Sequence, residues 1–296
     1  MRICIATGIY PPATSGPAQY AAAMEAEFKS RSHQVSVVTY GFENKLPTGV
    51  RHLWYFLRVL PRVAKADFIL ALDTFSVGLP TVLAAKLAGR KIIIRTGGDF
   101  LYEQYIDRTG EKILLRKFYT EPRAFNRKEK IIFALTRWTL QQVSALVFST
   151  EWQRDIFLKP YKLEAQKIFV VENRFDKKIS DEAARAKNFI FATRNIAYKN
   201  IEKFSAAFEV AKKNNPEISL EIYHTLPHDE LMKKIATCYA VVMPSLGEIS
   251  PHVSGKIEWL VNDIKYARVR AQVRSFSFTH SWAEIADELL SIYSKI

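Results

Sequence analysis

Ala240-Val-Val-Met-Pro-Ser-Leu-Gly-Glu248-Ile-Ser-Pro251 delivers a carboxylate from a short apolar run onto a Gly/Ser/Pro turn. Residues 240–243 read as a buried strand, which Pro244, Gly247 and Pro251 break into a rigid loop. Glu248 therefore stands at the carboxyl end of a strand, where open α/β sheets place their ligands. Taken alone, the segment reads equally well as a turn with an exposed glutamate. The sequence on either side decides between the two.

Upstream, strands and helices alternate. Residues 2–6 form an apolar strand, 8–16 a Pro/Gly/Ser loop, and 17–31 a helix with Pro17 in its first turn, where the missing N–H costs nothing. The pattern continues with strands at 34–39, 68–72 and 91–95 and helices at 52–64 and 77–87. Helices at 111–119 and 131–143 follow, then strands at 146–149 and 168–171. Residues 173–188 are polar and weakly patterned, as a linker is. A second series follows, with strands at 189–193, 218–223 and 240–243 and helices at 201–214 and 229–236. Ser281 and Glu284 form a capping box that opens a final amphipathic helix over 281–295. The expectation is an α/β protein with two doubly wound parallel sheets. Residues 1–172 form the first domain, 173–280 the second, and 281–296 a helix that packs back on the first.

The bulk properties narrow the function. The 296-residue chain is 48% hydrophobic and 25% charged, a globular composition. No apolar run approaches the roughly 20 residues that cross a bilayer. Met1-Arg-Ile-Cys-Ile-Ala6 reads as a first strand and not a signal peptide. Two isolated cysteines, Cys4 and Cys238, point to a reducing compartment without a disulfide or zinc framework. The net charge of +13 suggests a polyanionic partner, such as nucleic acid, anionic lipid or a phosphorylated small molecule. No nucleic-acid-binding motif is present. The six histidines lack metal-ligand spacing, and no Gly-x-Ser-x-Gly elbow supports a serine hydrolase.

Four segments can carry chemistry. The loop from Gly8 to Gly16 leaves the first strand and opens a helix, so its N–H groups suit a diphosphate. It lacks both the G-x-G-x-x-G fingerprint and a Walker lysine. Arg194 and Lys199 follow a strand and can grip one diphosphate, by fork and by point charge. In Thr96-Gly-Gly-Asp99 the glycines admit a close backbone approach, and Asp99 can orient or deprotonate a hydroxyl. Finally, residues 108–138 interleave basic and aromatic side chains, a composition that can lie on an anionic membrane or bind nucleic acid. Each has an ordinary structural reading beside it: a plain βα loop, a solvated cation pair, a simple turn and a solvated helix pair.

In order along the chain these residues resemble the retaining, nucleotide-sugar-dependent glycosyltransferases of family 4, which have the GT-B fold. Tyr10-Pro-Pro with Gly16-Pro17 is similar to the family's first loop, and Arg31-Ser-His33-x-Val35 to its R-G-H-x-V entry, with serine for glycine. Val171-Glu-Asn173-Arg-Phe-Asp176 is similar to its interdomain N-G-x-D turn, with Arg174 for glycine. Arg194 and Lys199 keep the family's offset, and Pro244–Glu248 resembles its donor-sugar loop. Phe278-x-x-x-Trp282 with Tyr293 resembles its closing helix.

The resemblance implies catalytic roles for Asp99, Arg194, Lys199 and Glu248. It implies donor binding by Gly16, Arg194, Lys199, Ser245, Glu248, Ile249 and Ser250. It implies a UDP- or GDP-sugar as substrate, no tightly bound cofactor and no metal. The basic, aromatic stretch 108–138 adds the expectation of a hydroxyl-bearing glycan or lipid-linked acceptor, with a cytoplasmic protein peripheral on an anionic membrane surface, the inner face of the plasma membrane. Nucleic acid is not an expected partner. The family's second glutamate, eight residues beyond the first, is replaced by Lys256, and Glu258 does not substitute for it. Residues 251–257 and 42–47 are shorter than the family pattern. A GT-B protein that binds nucleotide sugar or glycan without transferring it is the alternative.

Overall fold

The structure, a computed structural model, describes residues 1–13, 15–175, 186–193, 196–224, 226–246, 267–268, 271, 275 and 277–296. Its contacts divide the chain into two compact units. The first comprises Met1–Tyr105, Phe118–Arg174 and His280–Ile296, and the second Ile106–Lys117 and Phe175–Thr279. The sequence reading had kept 106–117 within the first domain.

The first unit is built on a six-stranded, wholly parallel sheet. Its strands are β1 (Arg2–Thr7), β2 (Gln34–Thr39), β3 (Phe68–Ala71), β4 (Ile93–Thr96), β5 (Ala145–Phe148) and β6 (Ile168–Val170). They lie in the order β2-β1-β3-β4-β5-β6. Strands β3, β4 and β5 are buried along their whole length, as a parallel sheet covered on both faces requires. On one face pack α1 (Gly16–Ser30) and the C-terminal helix α10 (Trp282–Lys295), whose Ile285, Ala286, Leu289 and Ile292 join Met24 and Phe28 in one core. The other face is covered by α2 (Val50–Lys65), α3 (Gly78–Leu87), α6 (Arg127–Gln142) and α7 (Glu151–Tyr161). Between β2 and α2 runs a 3-10 turn, Phe42–Lys45, where the wholly buried Glu43 accepts from the Gly41 amide and pairs with Arg58.

Two helices escaped the sequence reading. The first, α4 (Phe100–Thr109), begins directly after the Gly97-Gly98-Asp99 turn and buries Leu101, Tyr102, Tyr105 and Ile106, a one-sided helical stripe. Gly110, at φ +68°, stops it. The helix expected over 111–119 is therefore reduced to the single turn α5 (Leu115–Phe118). The second is α7, which Thr150 opens by accepting from the Gln153 amide at 3.2 Å. The capping box of α10 is present as expected, with Glu284 N to Ser281 Oγ at 3.2 Å and Ser281 N to Glu284 Oε2 at 2.7 Å.

The second unit carries a three-stranded parallel sheet in the order β8-β7-β9, from β7 (Asn188–Ala192), β8 (Ser219–Tyr223) and β9 (Ala240–Val241). Helices α8 (Ile201–Asn214) and α9 (His228–Thr237) complete its described part. Phe189, Phe191, Phe204 and Phe208 dominate the core. Strand β9 is shorter than the expected 240–243, because the chain turns away ahead of Pro244 after one further bond, Val242 N to Ile190 O.

Candidate functional site

In the first unit the candidate groups gather beyond the carboxyl ends of β1, β3 and β4. Strand β1 has β2 on one side and β3 on the other, so the crossovers leave in opposite directions and open a crevice there. From β1 the chain runs through Gly8 to Ser15, whose hydroxyl caps α1 by accepting from the Ala18 amide at 3.4 Å. Gly16 follows, exposed, and a side chain there would meet nothing within 4 Å. Packing does not demand this glycine. Pro17 has no N–H and the Ala18 amide is taken by the Ser15 cap, so the group this openness offers to an anion is the Gly16 amide.

From β3 the chain delivers Asp73, which the sequence reading missed. Its Oδ1 accepts from the amides of Phe75 at 2.9 Å, Val77 at 3.0 Å and Gly78 at 3.1 Å, so the carboxylate folds the β3–α3 turn around itself. Burial pushes its pKa up against the lowering effect of those N–H groups. The signal was an aspartate ending an apolar strand ahead of a helix, a position that also suits any cap.

From β4 come Arg95 and Asp99. Arg95, 7% exposed, lies with its guanidinium carbon 4.0 Å from the Tyr20 ring centre and donates to Asn173. It forms no ion pair among the described residues, and its Nε is sealed without a partner. Burial drives its pKa down. A Cβ on Gly97 would approach Arg95 Nη1 to 3.1 Å, so glycine leaves room for the guanidinium beneath the loop.

Asp99 was expected near the acceptor, to orient or deprotonate a hydroxyl. In the structure both of its oxygens bond within the unit. Oδ1 accepts from the Tyr102 amide at 3.1 Å, capping α4, and Oδ2 accepts from the Tyr119 hydroxyl at 2.6 Å. Because Tyr119 gives its proton to Asp99, Tyr161 must donate to Tyr119 across their 2.6 Å contact. At 4% exposure, Asp99 has its pKa raised to about 6 by burial, which outweighs the lowering by Tyr119 and the helix amides.

The sign follows from this shift. Between the ordinary aspartate value and about 6 the folded chain holds a proton that the unfolded chain has lost. Asp99 therefore favours the fold fully at low pH, and that contribution disappears as pH rises through about 6. Asp99→Asn is expected to remove a loss of roughly 3 kcal/mol over that interval. Thermal midpoints of wild type and variant between these pH values check it. Parallel curves would refute the assignment.

In the second unit, Lys199 ends a 3-10 turn, Ala197–Lys199, after β7, with Nζ 5.1 Å from the Tyr198 ring centre. Leu246 donates to the Tyr198 carbonyl at 2.9 Å, and Asn200, at φ +60°, reaches the Pro244 carbonyl. The structure thus brings the turn carrying Lys199 against the loop carrying Ser245. Two atoms sealed in that junction, Ser245 Oγ and Asn200 Oδ1, have no partner among the described residues. Arg194, Glu248, Ile249 and Ser250, like Lys256 and Glu258, lie outside the described residues. Among the described residues, no group of three His, Cys, Asp or Glu side chains is placed to hold a metal ion.

No family model matches the chain, and no curated protein does. Solved structures do match. UDP-GlcNAc 2-epimerase from Neisseria meningitidis bound to UDP-GlcNAc is similar at 10% identity and a TM-score of 0.59, over 100% of both chains. UDP-GlcNAc 2-epimerase from Methanocaldococcus jannaschii is similar at 12% identity and 0.52, again over 100% of both. An alpha-glucosyltransferase in complex with UDP and a 13-mer DNA containing a HMU base is similar at 9% identity and 0.50, over 99% of this chain and 94% of that one. The shared property is the fold. It is α/β with parallel sheets and covering helices, the GT-B architecture.

Proposed function

We propose that this protein is a retaining glycosyltransferase of the family 4 type. It moves a sugar from a UDP- or GDP-sugar onto a hydroxyl of a glycan or lipid-linked acceptor at the cytoplasmic face of the plasma membrane. The observation that carries the reading is the junction of the second unit. There the turn carrying Lys199 meets the loop carrying Ser245, after β7 and β9, in a fold that enzymes named for a UDP-sugar also adopt. Arg194 and Lys199 neutralise the diphosphate as the glycosidic bond breaks, which is stabilisation placed where charge develops. These two cations supply what a metal would otherwise bring. Glu248 holds hydroxyls of the donor sugar, Ser245, Ile249 and Ser250 line the same loop, and Gly16 offers its backbone N–H to the phosphates. Asp99 is a positioning residue in this scheme, because it fixes α4 and the glycine turn ahead of it.

The test is a thermal-shift series with UDP, GDP and their sugar conjugates, followed by assay of nucleotide release. A true donor at a hundredfold excess over its Kd is expected to stabilise by about 2.7 kcal/mol. Lys199→Ala is expected to weaken nucleotide binding by about 1.5–3 kcal/mol, and Glu248→Ala to lose only the increment due to the sugar. Absence of a shift with every nucleotide sinks the proposal. Binding without nucleotide release favours the second reading, a non-transferring binder, for which Lys256 in place of the second glutamate is the specific observation. Recovery of the donor as its C2 epimer would instead point to the activity for which the matching epimerases are named.

A further inference from the structure

Helix α2 has two apolar faces. Tyr55, Val59 and Val63 point into the core. Val50, Leu53, Trp54, Leu57, Pro61 and Ala64 are all exposed, and at 100° per residue they fall within an arc of about 100° on the outer side. Leu57 is 55% exposed and Trp54 44%. Phe42 extends the strip, with its ring 6.3 Å from that of Trp54. Along one border run Arg51, Arg58, Arg62 and Lys65, of which Arg58 is paired with the buried Glu43. A surface helix whose outer stripe is leucine and tryptophan, and whose border is wholly basic, has the composition of one lying in a lipid interface.

The neighbouring helices continue the surface. Helix α2 packs on α3 and α3 on α6. Outward from α3 stand Leu83, Lys86 and Leu87, and outward from α6 stand Lys128, Ile131 and Leu135. Together the three helices carry nine lysines and arginines against one carboxylate, Glu129, which is buried in a capping box. Across the sheet, α1 and α10 carry five carboxylates against two lysines. The unit is thus charged oppositely on its two faces, and the apolar residues are exposed on the positive one. No helix among the described residues is long and apolar enough to cross a membrane.

We infer that the outer face of α2, α3 and α6 docks on an anionic lipid surface, with the α2 stripe entering the headgroup boundary and the flanking cations meeting lipid phosphates. Charge complementarity selects this occupant. A second copy of the chain would bring like charges together, and a purely apolar partner would leave the basic border unmatched. The inference does not depend on the transferase reading, because it rests on a surface remote in sequence from Lys199 and Glu248. It assigns the contact mainly to α2, where the sequence reading had looked to residues 108–138.

Co-sedimentation with vesicles tests it without any enzyme assay. Wild type is expected to bind phosphatidylglycerol-containing vesicles and not phosphatidylcholine alone. The triple variant Leu53→Ser/Trp54→Ser/Leu57→Ser is expected to bind at least about tenfold more weakly. Lys65→Glu/Lys128→Glu/Lys130→Glu is expected to bind about tenfold more weakly as well, with binding lost on adding salt. All these positions are exposed, so unchanged circular dichroism and melting separate lost docking from lost folding. Failure of wild type to bind anionic vesicles overturns the inference, and so does equal binding by the serine variant. A wild-type dimer that the serine variant converts to monomer, with vesicle binding unaffected, would assign the face to self-association instead.

Discussion

Gly78→Ala is expected to destabilise the first unit by about 3 kcal/mol, at the upper end for one added methyl group. A Cβ at this position would lie 2.3 Å from the carbonyl oxygen of Asp73 and 3.4 Å from Ile94 Cδ1. Neither neighbour has a cheap escape. The carbonyl belongs to the turn that Asp73 ties down through three amides, one of them Gly78's own, and Ile94 is buried in β4. Relief requires α3 to move away from β3, which breaks the carboxylate's bonds and leaves a desolvated acid unsatisfied. Gly8→Ala is the control, since its nearest contacts, Asp73 Oδ2 at 3.7 Å and Val77 Cγ1 at 3.9 Å, are ordinary. It is expected to change stability by less than about 0.5 kcal/mol. Urea denaturation followed by circular dichroism compares the two. Equal stability of both variants would show that the β3–α3 turn is softer than its geometry indicates.

Arg95→Met is expected to stabilise the same unit, by about 1–2 kcal/mol. The guanidinium is desolvated, with one aromatic face and one amide oxygen beside it and, among the described residues, no carboxylate to offset its charge. Methionine fills a similar volume, keeps contact with Tyr20 and has no charge to hydrate. Asn173 is half-buried, so water can replace the lost donor. Arg95→Ala should act in the opposite direction, costing about 2–3 kcal/mol for the cavity under Tyr20. A methionine variant as unstable as the alanine one would establish the guanidinium as a net stabiliser. The expected order, methionine above wild type above alanine, would mark Arg95 as a residue whose presence packing does not explain.

The alternation of strand and helix was legible because it rests on local pattern. β-branched runs such as Gln34–Thr39 and the Ser281/Glu284 capping box announce themselves within a few residues. Helix α4 was missed for a local reason too. Its start coincides with a glycine turn that reads as loop, and its end, Gly110, reads as the beginning of the next element. The site was less legible. Lys199 and Ser245 stand out by their position after strands, but their junction depends on Leu246 bonding to Tyr198 across the fold. Asp99 looked like a reactive carboxylate because sequence shows that an acid follows two glycines and not which way it turns. Tyr119 and Tyr161, which hold it, lie far along the chain. Arg95 looked like the end of a strand, and the outer stripe of α2 like an ordinary aromatic-rich helix. Exposure on that stripe becomes visible only once the opposite face is seen to be buried.

The placement of α10 has a consequence for how the protein is made. Its isoleucines and leucine complete a core begun by β1 and α1, yet about a hundred residues of the second unit are translated in between, which takes roughly 5–20 s on the ribosome. Throughout that interval α1 is the only helix of that layer already made, and the part of the sheet face that α10 buries stays open. The first unit is begun first and finished last. A holdase chaperone, or early docking of α1 alone, must shield Ile3, Ile5 and Phe68 until residues 282–295 emerge, and stalled translation after the second unit should leave a chain prone to aggregate.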